Sequence, residues 1–146
     1  MNSFSYHVSS IDDLKTPCER LSQHLSAPMV IGLSGDMGSG KTTFVRHMCQ
    51  VLKSPDWVNS PTYSIMQQYQ SPNFSILHID LYRLTNDAAI DQLDIPSSIT
   101  ENSLVFIEWI ERTSILPVDA MIQFKLLKND ERELTISSDL AWVKEL

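Results

Sequence analysis

The sequence has little of what marks several common classes of protein. Its two cysteines, Cys18 and Cys49, form no Cys-x-x-Cys pair, so neither a zinc site nor a disulfide framework is indicated. No apolar run reaches the length of about 18 residues that a transmembrane helix needs. The first residues also lack the basic and apolar regions of a secretory signal. We therefore expect a cytoplasmic protein without a membrane segment.

Basic residues are in the minority, with 11 Lys and Arg against 18 Asp and Glu, and the formal net charge is −7. Proteins whose main task is nucleic-acid binding neutralise phosphates with clustered Lys and Arg, so this balance argues against such a role. The length of 146 residues, with 42% hydrophobic and 20% charged, is typical of one soluble globular domain. We expect a single domain over residues 1–146.

The spacing of apolar residues predicts an α/β domain. Apolar and polar residues alternate over Phe4–Val8, which predicts a strand. Ser10 is expected to start a helix with an apolar stripe at helical spacing, made of Ile11, Leu14, Cys18, Leu21 and Leu25. The further predicted strands are Met29–Leu33, 63–69, Phe74–Leu81, Leu104–Glu108, Met121–Leu127 and Glu133–Ile136. The further predicted helices are one that ends near Leu52, one over Asn86–Leu93 and a short one in the C-terminal tail. This order predicts a three-layer domain in which helices flank a mixed sheet.

A glycine-rich loop carries the strongest functional signal. The run from Gly35 through Gly40 to Lys41 and Thr42 matches the phosphate-loop pattern G-x-x-x-x-G-K-[ST]. An apolar strand leads into it and a helical pattern leads out, as that motif requires. Its glycines let backbone N–H groups surround phosphate oxygens, the lysine reaches the β- and γ-phosphates, and the threonine hydroxyl binds Mg²⁺.

Two acidic residues end predicted buried strands. Asp80 ends one and Glu108 ends the other, at the edge of the sheet where ligands bind in α/β folds. Either carboxylate is a candidate for the magnesium site. His78 shares a strand face with Asp80, and we expect it to support the site rather than to react. Thr62 follows the loop in the interval where switching NTPases place a threonine that senses the γ-phosphate.

The motifs that are missing narrow the chemistry. The sequence has neither the guanine-reading Asn-Lys-x-Asp nor an Asp-x-x-Gly switch, and no obvious pair of lid arginines. Adenine is therefore favoured over guanine, and a slow ATPase over a kinase. Two alternatives stay open, a small-molecule or nucleotide kinase and a nucleotide-gated binding module without turnover.

Four motifs in order resemble one known family, the TsaE family of bacterial ATPases that take part in making threonylcarbamoyladenosine in tRNA. They are GDMGSGKTT at 35–43, SPTY at 60–63, HIDLYRL at 78–84 and IEW at 107–109. The resemblance implies a P-loop NTPase-like α/β fold, the cofactors ATP and Mg²⁺, and partners that are TsaB-like and TsaD-like proteins. It implies ATP turnover that resets this partner complex between cycles, not transfer of the threonylcarbamoyl group, and no direct tRNA binding as a main role.

The resemblance also implies the site residues. ATP would be bound by the loop residues Gly35, Gly38, Ser39, Gly40, Lys41, Thr42 and Thr43. Mg²⁺ would be held by Thr42 and Glu108. Lys41 and Asp80 would act in hydrolysis, with Thr62 in a switch-like segment. Trp109 would lie beside the nucleotide, and the adenine near Ile11 and Arg132.

Overall fold

The computed structural model describes residues 1–56, 58 and 64–146 of the chain. In this part of the chain seven strands form one sheet: β1 (Asn2–Val8), β2 (Met29–Ser34), β3 (Met66–Gln70), β4 (Ser75–Asp80), β5 (Ser103–Glu108), β6 (Ala120–Leu126) and β7 (Arg132–Ser138). Within the described residues, four α-helices accompany them: α1 (Lys15–Ser22), α2 (Lys41–Val51), α3 (Asp87–Gln92) and α4 (Ile95–Ser98). The same residues contain four short 3-10 helices, which cover Ile11–Leu14, Ile110–Arg112, Lys128–Asp130 and Ala141–Glu145.

The strand order is β1-β7-β6-β2-β5-β4-β3. The central pairs, β6 with β2, β2 with β5 and β5 with β4, are parallel. The outer pairs, β1 with β7, β7 with β6 and β4 with β3, are antiparallel. The sheet is therefore mixed, and the parallel strands β2, β4 and β5 bring their carboxyl ends to one edge.

Apolar residues of the central strands alternate between two cores. On β5, Leu104 and Phe106 pack with residues of α1 and α2, whereas Val105 and Ile107 pack with residues of α3 and α4. Strands buried on both faces read as continuous apolar runs, which is why Leu104–Glu108 shows no alternation in sequence. Helices cover both faces of the sheet, so the three-layer prediction is confirmed.

Most predicted elements are present within a few residues of their expected bounds, and the first helix is the main correction. Its predicted start is capped as expected, because the backbone N–H of Ser10 donates to the Asp13 carboxylate at 3.1 Å. The first turn is nevertheless a 3-10 helix, and α1 begins only at Lys15. The prediction that Ile11 belongs to the buried stripe is wrong, since its side chain is 63% exposed.

Two elements were not expected from the sequence, and one predicted element lies partly outside the described residues. No pattern predicts α4 or the 3-10 helix Ile110–Arg112, because each is only three or four residues long. The strand expected over 63–69 begins at Met66, and position 63 lies outside the described residues. The tail helix is present as a 3-10 helix. In the part of the chain that the structure describes, no helix is both long and apolar enough to cross a bilayer.

Candidate functional site

The glycine-rich loop joins the end of β2 to the start of α2, as the motif requires. Its glycines Gly35, Gly38 and Gly40 have φ values of +147°, +78° and +112°, a region that other residues rarely adopt. At Gly35 a Cβ atom would also lie 2.7 Å from both the Phe124 carbonyl oxygen and the Ser39 hydroxyl. This position therefore requires glycine for both its conformation and its space.

Lys41 begins α2 and lies back against the loop. Its Nζ donates to the carbonyl oxygens of Gly35 at 2.5 Å and Asp36 at 3.0 Å, and it lies 4.0 Å from the centre of the Trp109 ring. Burial lowers the pKa of Lys41, while the nearby carboxylates, with Glu108 the largest influence, act in the opposite direction. The ammonium group is thus held at one place with few competing water contacts.

Thr42 and Glu108 meet at the junction of α2 and β5. The Thr42 hydroxyl lies 2.8 Å from Oε2 and 3.0 Å from Oε1 of Glu108, and the carboxylate is 3% exposed. Nε2 of His78 lies 2.5 Å from Oε2 of the same carboxylate. Asp80 and Glu108 are neighbours, as predicted, because Asp80 of β4 is the register partner of Glu108 on β5. One oxygen of Asp80 accepts from the backbone N–H of Tyr82 at 2.8 Å.

Trp109 takes an unusual backbone conformation directly after β5. Strand alternation would point it away from Glu108, but its φ of +60° and ψ of +38° end the strand. Its indole ring packs against the ring of Tyr82 with centroids 5.0 Å apart, and the Arg112 guanidinium lies 5.4 Å from it. The left-handed turn thus returns the ring to the side of the loop.

These groups surround one cavity of about 410 Å³. Of the predicted site residues, those lining it are Ile11, Gly38, Ser39, Gly40, Lys41, Thr42, Thr43, Asp80, Glu108, Trp109 and Arg132. Gly35 lies at the base of the loop and does not line the cavity. Thr62 lies outside the described residues.

Two features of the cavity suit an anionic ligand. The Ser39 hydroxyl is buried and has no hydrogen-bond partner within the described part of the chain. A buried hydroxyl without a partner is costly, and a phosphate oxygen would satisfy it. Arg132 adds a positive charge and braces the loop, because its guanidinium donates to the Gly38 carbonyl at 3.2 Å.

Two residues at the site were missed by sequence reasoning. Tyr82 lines the cavity beside Trp109. Glu111 accepts a hydrogen bond from the backbone N–H of Gly35 at 3.0 Å and so fixes the start of the loop. Tyr82 lies within the HIDLYRL motif, but its contact with Trp109, like that of Glu111 with Gly35, joins distant parts of the chain and is not indicated by the sequence.

The oxygen donors at the site suit Mg²⁺. No group of three or more His, Cys, Asp or Glu side chains within the described ranges could hold a metal by itself. Mg²⁺ is usually bound through one or two protein oxygens, with the substrate phosphates and water completing its shell. The Thr42 hydroxyl and the Glu108 carboxylate are such donors, and they lie beside the loop where phosphates would be held.

Comparison with known proteins places the chain in a family. A family model described as "Threonylcarbamoyl adenosine biosynthesis protein TsaE" matches residues 8–136. The chain therefore belongs to the TsaE family.

Individual relatives agree with this placement. A protein of Aquifex aeolicus named "tRNA threonylcarbamoyladenosine biosynthesis protein TsaE" is 33% identical over 131 residues, which is 88% of this chain and 92% of that protein. The protein of the same name from Rickettsia typhi is 31% identical over 138 residues, 90% of this chain and 93% of the relative. A solved structure titled "Crystal structure of Bacillus subtilus YdiB" matches with a TM-score of 0.77 at 20% identity, covering 99% of this chain and 90% of that one. The structural match supports the fold.

Proposed function

We propose that this protein is a Mg²⁺-dependent ATPase subunit of the machinery that makes threonylcarbamoyladenosine in tRNA. Its slow ATP turnover would reset a complex of TsaB-like and TsaD-like proteins between catalytic cycles, while the transfer of the threonylcarbamoyl group is left to those partners. One observation carries the proposal. The same cavity is bordered by the glycine loop, Lys41, the Thr42–Glu108 pair and the Ser39 hydroxyl, which has no hydrogen-bond partner among the described residues.

The loop and Lys41 would bind the phosphates of ATP. Backbone N–H groups at the start of α2 carry the partial positive charge of the helix N-terminus, which favours an anion there. Lys41 adds a full charge, already desolvated by its burial, so a phosphate gains a strong interaction without displacing much water. Arg132 would hold Gly38 in place through its hydrogen bond to the Gly38 carbonyl.

Thr42 and Glu108 would hold Mg²⁺. Bound there with ATP, the ion supplies positive charge that neutralises phosphate oxygens during hydrolysis. Asp80 lies beside Glu108 at the same sheet edge and would orient the attacking water, so that ATP and water give ADP and phosphate. The hydrogen bond that the Tyr82 N–H donates to Asp80 keeps the Asp80 carboxylate in one orientation. Thr62 remains our candidate for sensing the γ-phosphate.

The acidic charge agrees with a role among protein partners. With a net charge of −7, the chain would leave tRNA contacts to the other subunits. Membership of the TsaE family supports a role in this pathway, and the resemblance to that family implies TsaB-like and TsaD-like proteins as partners. We propose that the protein acts in the cytoplasm.

A steady-state ATP hydrolysis assay tests this function. The protein is assayed alone, with TsaB-like and TsaD-like proteins, and with a panel of small-molecule acceptors. We expect slow Mg²⁺-dependent hydrolysis alone and a higher rate with the two proteins. Consumption of ATP only when an acceptor is present would indicate a kinase instead. Absence of ATP turnover under every condition would indicate a nucleotide-gated binding module instead of an ATPase.

A further inference from the structure

A line of buried polar side chains leads from the sheet edge to Glu108. The Tyr69 hydroxyl donates to Oε1 of Gln67 at 2.7 Å and lies 3.4 Å from Nδ1 of His78. The other ring nitrogen of His78, Nε2, lies 2.5 Å from Oε2 of Glu108. The same carboxylate accepts from the Thr42 hydroxyl. The exposures of His78, Tyr69 and Glu108 are 0%, 4% and 3%, so the line is shielded from solvent.

The strand register explains how these side chains meet. Gln67 of β3 is the register partner of His78 on β4, and Tyr69 is two residues further along the same face. Glu108 ends the next strand, β5, on the face where Phe106 packs against Phe44 of α2. The line therefore crosses three neighbouring strands on the face that carries α2.

The surroundings of His78 give a reason to look for a specific role. Its neighbours two residues away on the same strand face are Ile76 and Asp80, and the residue beside it on β5 is Phe106. A fully buried position of this kind is normally filled by an apolar side chain. What histidine adds is an N–H that points at the Glu108 carboxylate, which can only accept, together with a second nitrogen that meets Tyr69.

We infer that His78 is a positioning residue that fixes the orientation of the Glu108 carboxylate toward Thr42, and that the Tyr69 hydroxyl, anchored by its hydrogen bond to Gln67, limits rotation of the imidazole ring on the Nδ1 side. Without this contact Glu108 could turn about its side-chain bonds, and its oxygens would no longer converge with the Thr42 hydroxyl. Partners that orient a metal-binding side chain commonly change metal affinity by about 10- to 100-fold when removed. The inference rests on the proposed Mg²⁺ site at Thr42 and Glu108.

The test measures ATP affinity by titration calorimetry over a series of Mg²⁺ concentrations and in EDTA. Two variants are compared with the wild type, His78→Leu, which removes the N–H, and His78→Gln, whose amide can still donate to Glu108. We expect His78→Leu to weaken the apparent Mg²⁺ affinity by about 10- to 100-fold. We expect His78→Gln to recover most of that loss. In EDTA both variants should bind ATP within about twofold of the wild type, because the phosphate loop is intact.

Tyr69→Phe tests the outer part of the line and leaves the core volume unchanged. The variant loses the hydroxyl's hydrogen bond to Gln67 and its contact with Nδ1 of His78. The imidazole is then held less firmly, and Mg²⁺ affinity should weaken by about two- to tenfold. The matched control is Tyr6→Phe, which removes a tyrosine hydroxyl that is also buried but lies on β1, outside the cavity. This control should leave the Mg²⁺ dependence unchanged.

Wild-type Mg²⁺ dependence in His78→Leu would overturn the inference. Equal losses of ATP affinity with and without Mg²⁺ would also overturn it, since they indicate a packing role alone. If His78→Leu does not fold, the Mg²⁺ affinity of Tyr69→Phe decides the question. An apparent Mg²⁺ affinity equal to that of Tyr6→Phe would then overturn the inference. A wild type that binds no ATP, or binds it without regard to Mg²⁺, would refute the proposed function itself.

Discussion

Replacing Lys41 by methionine should weaken ATP binding strongly and leave the fold intact. Methionine keeps an unbranched apolar stem against Trp109 but loses the ammonium group. A hydrogen bond to a charged group contributes about 1.5–3 kcal/mol, and each 1.4 kcal/mol is a tenfold change in affinity. The loss of one such contact with phosphate therefore corresponds to a roughly 10- to 150-fold higher dissociation constant for ATP.

The effect on stability without ATP should be small. The Lys41 ammonium donates to two loop carbonyls, at Gly35 and Asp36, and these bonds are lost in the variant. Burying the Lys41 ammonium has a desolvation cost, which also lowers the pKa of this group, and the variant avoids that cost. We expect the two effects to offset each other to within about 1 kcal/mol, or about 4 °C in melting temperature.

Titration calorimetry of ATP with Mg²⁺ and a thermal melt measure both quantities. Lys125→Met is the matched control, because Lys125 is an exposed lysine of β6 that does not line the cavity. It should bind ATP as the wild type does. An ATP affinity for Lys41→Met within twofold of the wild type would refute the assignment of Lys41 as a phosphate ligand.

Three further predictions concern the same cavity. ATP with Mg²⁺ should change the tryptophan emission, and Trp109→Phe should remove most of that change whereas Trp142→Phe should keep it; a full signal in Trp109→Phe would show that the ring does not report on the nucleotide. Glu108→Ala should mainly weaken Mg²⁺-dependent ATP binding and Asp80→Ala should mainly lower kcat, and the reverse pattern in binding and turnover assays would exchange their roles. Phosphate binding favours the charged form of Lys41, and burial lowers the pKa of this lysine. ATP affinity should therefore begin to fall at a pH below the ordinary lysine pKa of 10.5. An ATP affinity that stays constant between pH 7 and pH 10 would contradict this prediction.

The loop and the central strands could be predicted because their signals are local. Glycines at these fixed intervals before Lys41 and Thr42 seldom occur together by chance, and the observed positive φ values agree with a requirement for glycine. Buried strands that end in Asp80 and Glu108 placed both acids at one edge, since parallel strands align their carboxyl ends. The placement of His78 on the same face followed from strand alternation in the same way.

Further features depend on contacts that no local pattern encodes. Ile11 follows the helical spacing, but its first turn is a 3-10 helix, and its side chain is left exposed beside the cavity. The orientation of Trp109 depends on one left-handed residue that breaks strand alternation. Glu111 meets the Gly35 N–H across 76 residues of sequence, and it could be found only in the folded chain. The role of Thr62 stays a prediction.

Co-purification with TsaB-like and TsaD-like proteins tests the central claim most directly. The wild-type chain and Lys41→Met are each mixed with the two proteins in ATP with Mg²⁺, in ADP with Mg²⁺ and without nucleotide. We predict that the wild-type chain joins the complex in amounts that depend on ATP and that Lys41→Met does not respond to it. Equal recovery of the wild-type chain in all three conditions, or no recovery in any of them, would contradict the proposed role.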